Sequence, residues 1–124
     1  MKTLRIEDTS ITPRITFDMK GELKIEGRSI PEDPESFYLP LMEWLVNYYQ
    51  QPNKFTKVDI QLEYINSGSS KFILAFMKII KDNYDKGHNC AVNWIYEEDD
   101  ENLYELGLHY KTILEIPFNL VEIY

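Results

Sequence analysis

Polar and apolar residues alternate with a period of two in several stretches of the chain, and each predicts a strand with one buried face. Arg14-Ile15-Thr16-Phe17-Asp18 and Leu23-Lys24-Ile25-Glu26 flank Lys20-Gly21, a pattern that predicts an antiparallel hairpin. The clearest run is Val58, Ile60, Leu62 and Tyr64, alternating with Asp59, Gln61 and Glu63. Val92, Trp94 and Tyr96 alternate in the same way with Asn93 and Glu97. Strands covered by helices on both sides would be almost continuously apolar, so one face of this sheet is expected to be wet.

Between the strands the period changes to that of a helix. Phe37, Leu41, Trp44, Leu45 and Tyr48 share one face, with Asp33 as N-cap and Pro34 in the first helical position. Pro40 lies inside this pattern, which leaves two readings: a helix kinked at Pro40, or one that starts there, near Leu39. Asn66-Ser67-Gly68-Ser69-Ser70 breaks the long alternation, and an apolar helix is expected over about residues 70–86, ended by Gly87 in the left-handed capping position. A short acidic helix is expected over residues 98–110, with Asp99 and Asp100 at its positive end. Residues 113–116 and 118–123 supply a last edge element interrupted by Pro117. Strand and helix alternating after an opening hairpin place the chain in the α/β class, as a two-layer, mixed β-sheet with helices on one face.

Composition narrows the functions open to such a fold. The 124 residues suit a single domain over 1–124, and 44% hydrophobic with 14% aromatic residues can bury a core. The net charge of −8 argues against nucleic acid or an anionic membrane as the main partner, because both demand a cationic face. Cys90 is the only cysteine, so no intrachain disulfide or multi-cysteine metal site forms, which fits a reducing compartment. Residues 1–8 are already polar and charged, and no run approaches a membrane span, so a cytoplasmic location is expected.

Catalytic equipment is sparse. Glu97-Glu98-Asp99-Asp100-Glu101 offers hard oxygens for calcium or magnesium, but it lacks the spaced ligands and central glycine of a calcium loop and reads as a solvated helix start. His88 and Cys90 would share a face of an extended segment, yet no third group orients them, and Cys90 reads as core filler. His109 stands alone. The five glycines are dispersed, with no phosphate-binding loop, dinucleotide fingerprint or nucleophile elbow, so neither an enzyme nor a cofactor is expected. The serine-rich turn at residues 66–70 is more informative. Its Asn or Ser oxygens can cap a helix, and the same free amides and positive dipole end stabilise an added phosphate.

Several stretches carry a resemblance. Gly27-Arg28-Ser29-Ile30-Pro31-Glu32, Phe37-Tyr38-Leu39-Pro40-Leu41, Trp44-Leu45 and Tyr64-Ile65-Asn66-Ser67-Gly68-Ser69-Ser70-Lys71, with the early Thr12-Pro13, resemble in order the SiaC-type family of bacterial regulatory phosphoproteins. The resemblance implies a fold like the anti-sigma factor antagonists (STAS-like). It also implies a non-catalytic switch that a serine/threonine protein kinase phosphorylates and a PPM-type phosphatase restores. The unphosphorylated form would bind an effector, such as a diguanylate cyclase or a sensor kinase. The modified residue would be Ser67, directly after Asn66, with Ser69 as its rival. Ser stands here where the family commonly has Thr, and Gly68 where another hydroxyl residue is frequent.

Asn66, Gly68, Ser69, Ser70 and Lys71 are then the expected partner contacts in the loop and helix start. Arg28, Ser29 and Glu32 add a polar approach segment, joined by Tyr38, which lies one step off the apolar helix face. The rival reading is a constitutive interaction module of the same fold in which Ser67 only caps a helix, and a metal-dependent enzyme using the acidic run is a third. Acidic residues at Asp59 and Glu63 lead towards Ser67, so under the switch reading the effector's face should be basic and its binding salt-sensitive.

Overall fold

Residues 2–124 are described by the computed structural model; Met1, the start of the charged opening segment, lies outside them. In chain order the elements are β1 (Leu4–Ile6), β2 (Arg14–Phe17), β3 (Glu22–Ser29), α1 (Pro34–Tyr48), β4 (Phe55–Ile65), α2 (Ser67–Asp85), β5 (Asn89–Glu97), α3 (Glu101–Leu114) and β6 (Phe118–Ile123). They form one six-stranded sheet whose strand order is the sequence order. β1, β2 and β3 pair antiparallel, and β3 through β6 pair parallel.

Each parallel step is a strand–helix–strand crossover, and twisted strands make such crossovers right-handed. Three of them in the same direction across the sheet bring α1, α2 and α3 to one face. That is the physical origin of the alternation: Val58, Ile60 and Leu62 point into the helical layer and are buried, while Asp59, Gln61 and Glu63 are at least partly open on the other side. The expected two-layer mixed sheet is the architecture found.

Aromatic side chains fill the layer between sheet and helices. Phe17 packs on Trp44 and on Phe76, each with ring centroids 5.4 Å apart. Trp94 meets the edge of Tyr110 at 5.3 Å, and its indole nitrogen donates to the Leu103 carbonyl at 2.9 Å. Gly107 of α3 lies flat against that indole. A Cβ there would stand 2.6 Å from Trp94 Nε1 and 2.9 Å from Leu120 Cδ2.

Several boundaries differ from expectation. β1 was not expected; it is only three residues long and exists through pairing with β2. α1 starts at Pro34 with Asp33 as its cap and continues through Pro40, so the later start is wrong. Pro40 removes the bond to the Ser36 carbonyl, but both residues are exposed and water can take over that acceptor. α3 begins at Glu101, capped by Asp100, and extends to Leu114, taking in residues 113 and 114, which were expected in the edge element. Glu115, in the left-handed region at φ 52°, ends it.

Tyr64 also departs from its alternation. The register between β3 and β4 shifts at Gly27/Arg28, where Leu62 pairs with Gly27 but Tyr64 pairs with Arg28, leaving Glu63 as the extra residue of a bulge. Tyr64 therefore turns outward and is 58% exposed, with the Arg28 guanidinium 5.3 Å above its ring.

Candidate functional site

Ser29 and Ile65 are register partners at the ends of adjacent parallel strands, so α1 and α2 both begin at the C-terminal end of those strands. The Asn66 amide donates to the Ser29 carbonyl at 3.0 Å and fixes where the chain leaves the sheet. Asn66 then caps α2: its Oδ1 accepts from the Ser69 amide at 2.8 Å, while Nδ2 donates to the Pro31 carbonyl at 3.0 Å. One side chain thus holds α2's first turn and the approach to α1 together. Asn66→Ala should cost about 1–2 kcal/mol of stability, as a lost cap plus an orphaned carbonyl, read as a lower urea midpoint with unchanged m value.

The helix starts three residues earlier than expected, at Ser67 rather than about Ser70. Ser-Gly-Ser-Ser has poor helix propensity, and the Asn66 cap overrides it. This corrects the reading in which Ser67 caps α2, since Ser67 is the first helical residue and Asn66 does the capping. Gly68 is explained by the same junction. A Cβ on it would lie 2.8 Å from Pro34 Cγ, so the two helix starts approach too closely for any side chain there.

The three serine hydroxyls have different fates. Ser69 is fully buried, and its Oγ accepts from Ser29 Oγ at 2.9 Å. Ser29 Oγ in turn sits 2.5 Å from Tyr38 Oη; because the Ser29 proton is committed to Ser69, Tyr38 is the donor. Ser70 is half-buried, donates from Oγ to the Ser67 carbonyl at 2.8 Å, and its own carbonyl accepts from Tyr110 Oη at 2.7 Å. Ser67 is exposed, with no hydrogen bond from its hydroxyl to another described residue.

These positions correct part of the expected contact surface. Tyr38, Ser29 and Ser69 are each 0% exposed and cannot touch a partner. The buried stripe of α1 keeps Leu41, Trp44, Leu45 and Tyr48 of the expected face and takes in Tyr38, while Phe37 is only partly buried. Asn66, Gly68 and Ser70 are half-buried and occupied within the junction. Ser67, Lys71, Arg28 and Glu32 are exposed around it. Arg28 lies 3.5 Å from Glu63, a solvent-exposed pair of little energetic weight. Tyr64, Pro34 and Tyr110 were not singled out as site residues, although all three adjoin the loop; only the outward turn of Tyr64 required the bulge, which no periodicity announces.

Burial raises the pKa of Tyr38 to about 12, with the Ser29 hydrogen bond opposing it, and pushes the Cys90 thiol up to about 11. Cys90 is therefore a poor nucleophile at neutral pH, and His88 packs at a tilt against Tyr49 with ring centroids 6.0 Å apart. Both shifts favour the protonated form in the folded chain. The stability they guard is intact below pH ~9 and declines as the pH rises, first through Cys90 and then Tyr38. Circular dichroism should show alkaline unfolding setting in above pH ~9, and Cys90→Ala should move the onset upward.

Elsewhere the chemistry is quiet. Asp100 of the acidic run accepts from the Leu103 amide at 3.0 Å as a helix cap, and no group of three or more His, Cys, Asp or Glu among the described residues is arranged to hold a metal ion. Asp33 caps α1, its pKa lowered by the Ser36 hydroxyl and amide. His109 is exposed beside Tyr110. Among the described residues no helix is long and apolar enough to cross a membrane.

Comparison with known proteins agrees with this geometry. An uncharacterised protein of Pseudomonas aeruginosa is 24% identical over 119 residues, covering 95% of this chain and 94% of its own length. SiaC of Pseudomonas aeruginosa superposes with a TM-score of 0.92 at 22% identity, over 99% of this chain and all of its own. SiaC has also been solved in complex with the diguanylate cyclase SiaD, which it activates; that structure matches with a TM-score of 0.91 at 23% identity, over 97% of this chain and 99% of the other. The family model described as SiaC family regulatory phosphoprotein matches residues 6–123. The chain belongs to the SiaC family of regulatory phosphoproteins.

Proposed function

We propose that this chain is a cytoplasmic, non-catalytic switch, phosphorylated on Ser67 by a serine/threonine protein kinase and restored by a PPM-type phosphatase. In its unmodified form it docks on and regulates an effector, a diguanylate cyclase or a sensor kinase. The observation that carries the reading is the difference between the loop serines. Ser67 is exposed at the start of α2 with a hydroxyl that bonds to no other described residue, while Ser69 is fully buried and Ser70 is tied to the Ser67 carbonyl. Membership of a regulatory phosphoprotein family and a relative solved with a diguanylate cyclase support it.

Phosphate would add roughly −1.5 to −2 charges at Ser67. The chain already carries −8, and Glu32 and Glu63 lie exposed at the same corner. An effector that approaches through Ser67, Lys71, Arg28 and Glu32 would have to desolvate a large bare charge inside its contact area, and a charge buried without a fitted partner costs several kcal/mol. The direct test is mass spectrometry of the chain isolated from its native host with phosphatases inhibited. A phosphate on Ser67 is expected, and its absence throughout residues 66–70 would sink the proposal.

A further inference from the structure

We infer that the buried hydroxyl chain Tyr38–Ser29–Ser69 is a latch that confines modification of the loop to Ser67. The inference rests on the proposed switch and adds the residues that select among its serines. Asn66 caps the turn through the Ser69 amide, and Tyr110 reaches across from α3 to the Ser70 carbonyl. Neither contact engages the Ser69 side chain. Ser29 does so at 2.9 Å, with the Tyr38 hydroxyl 2.5 Å behind it.

The chain of donors runs one way. Tyr38 donates to Ser29 and Ser29 donates to Ser69, so β3, α1 and α2 are joined by a single line of two hydrogen bonds. All three residues are 0% exposed, and a buried hydroxyl without its partner is penalised. Rotating Ser69 outward to meet a kinase would strand Ser29 and Tyr38 together. Ser67, one residue before the Gly68–Pro34 contact, takes no part in the line and can be modified without breaking it. The latch also accounts for why a second serine only two positions away is no substitute.

Ser29→Ala removes the middle hydroxyl and is smaller than the original, so it should fold. Deuterium exchange at the Ser69 and Ser70 amides should become about tenfold faster, while β4 and β5 keep their protection. Adding Tyr38→Phe should restore part of that protection, because the tyrosine hydroxyl is no longer stranded; a merely structural cavity would worsen with the second change. In parallel, wild type and Ser29→Ala are incubated with ATP and extract of the native host, and phosphosites are mapped. Phosphate on Ser67 alone in the wild type, and on both Ser67 and Ser69 in the variant, is the expected result. Unchanged exchange in Ser29→Ala, or phosphate on Ser69 in the wild type, overturns the latch. Phosphate on Ser67 alone in both chains overturns the latch and leaves the switch standing, whereas no phosphate on either chain overturns both.

Discussion

A Ser67→Asp chain should bind its effector about tenfold more weakly than the wild type, while the phosphorylated protein loses about a hundredfold, in line with its larger charge. Ser67→Ala should bind as the unmodified protein does and should no longer respond to the kinase. The stability of these variants makes the binding result interpretable. Ser67 is the first residue of α2, where a carboxylate meets the positive end of the helix dipole and contributes about 0.3–1 kcal/mol of stability. Binding and stability therefore move in opposite directions for Ser67→Asp, and weaker binding cannot be blamed on unfolding. The measurement is isothermal titration against the effector that co-purifies from the native host, with a thermal melt of the same samples. Equal affinity of the two at low salt would show that charge at position 67 is irrelevant to docking.

Gly107→Ala should destabilise the protein by about 3 kcal/mol, the upper end of what overpacking costs. The reason is the surface it meets. Trp94 is 1% exposed, held by Tyr110 on one side and by its own bond to the Leu103 carbonyl, and Leu120 closes the remaining side. The indole cannot swing away without giving up that bond, so α3 itself must lift from the sheet. A lower urea midpoint is the expected readout. Tyr110 tethers the Ser70 carbonyl, so faster exchange at Ser70 should accompany it. A Gly107→Ala protein as stable as wild type would mean that α3 slides freely over β5.

Much of the fold could be read from period alone, since strands open to water on one face announce themselves in every second residue. What could not be read was set by contacts distant in the chain. β1 is too short to carry a pattern and depends on β2 for its existence. The bulge that turns Tyr64 outward is a property of the β3–β4 pairing and leaves Glu63 and Tyr64 looking like any other alternating pair. At the loop, Ser67 stood out by position, but its difference from Ser69 lies in burial against Ser29, a residue 40 positions earlier. Tyr38 was placed on the wrong side because Phe37 fits the same helical spacing; the hydroxyl partner that draws Tyr38 inward is on another element. Gly68 looked like a turn residue and proves to be a point of close approach to Pro34.

The sheet's strand order has a consequence for how the chain comes into being. Because every strand pairs with its neighbour in sequence, each finds its partner already made as the chain is synthesised, and no strand has to wait for a later one to be inserted between it and its partner. The loop at residues 66–70 is the exception to this orderly growth. Its cap and hydroxyl line are available once α2 has formed, but the bond from Tyr110 to the Ser70 carbonyl waits for α3, 40 residues further on. A nascent chain halted before α3 would present Ser67 on a first turn with one tether missing, so the finished loop is a product of the completed chain.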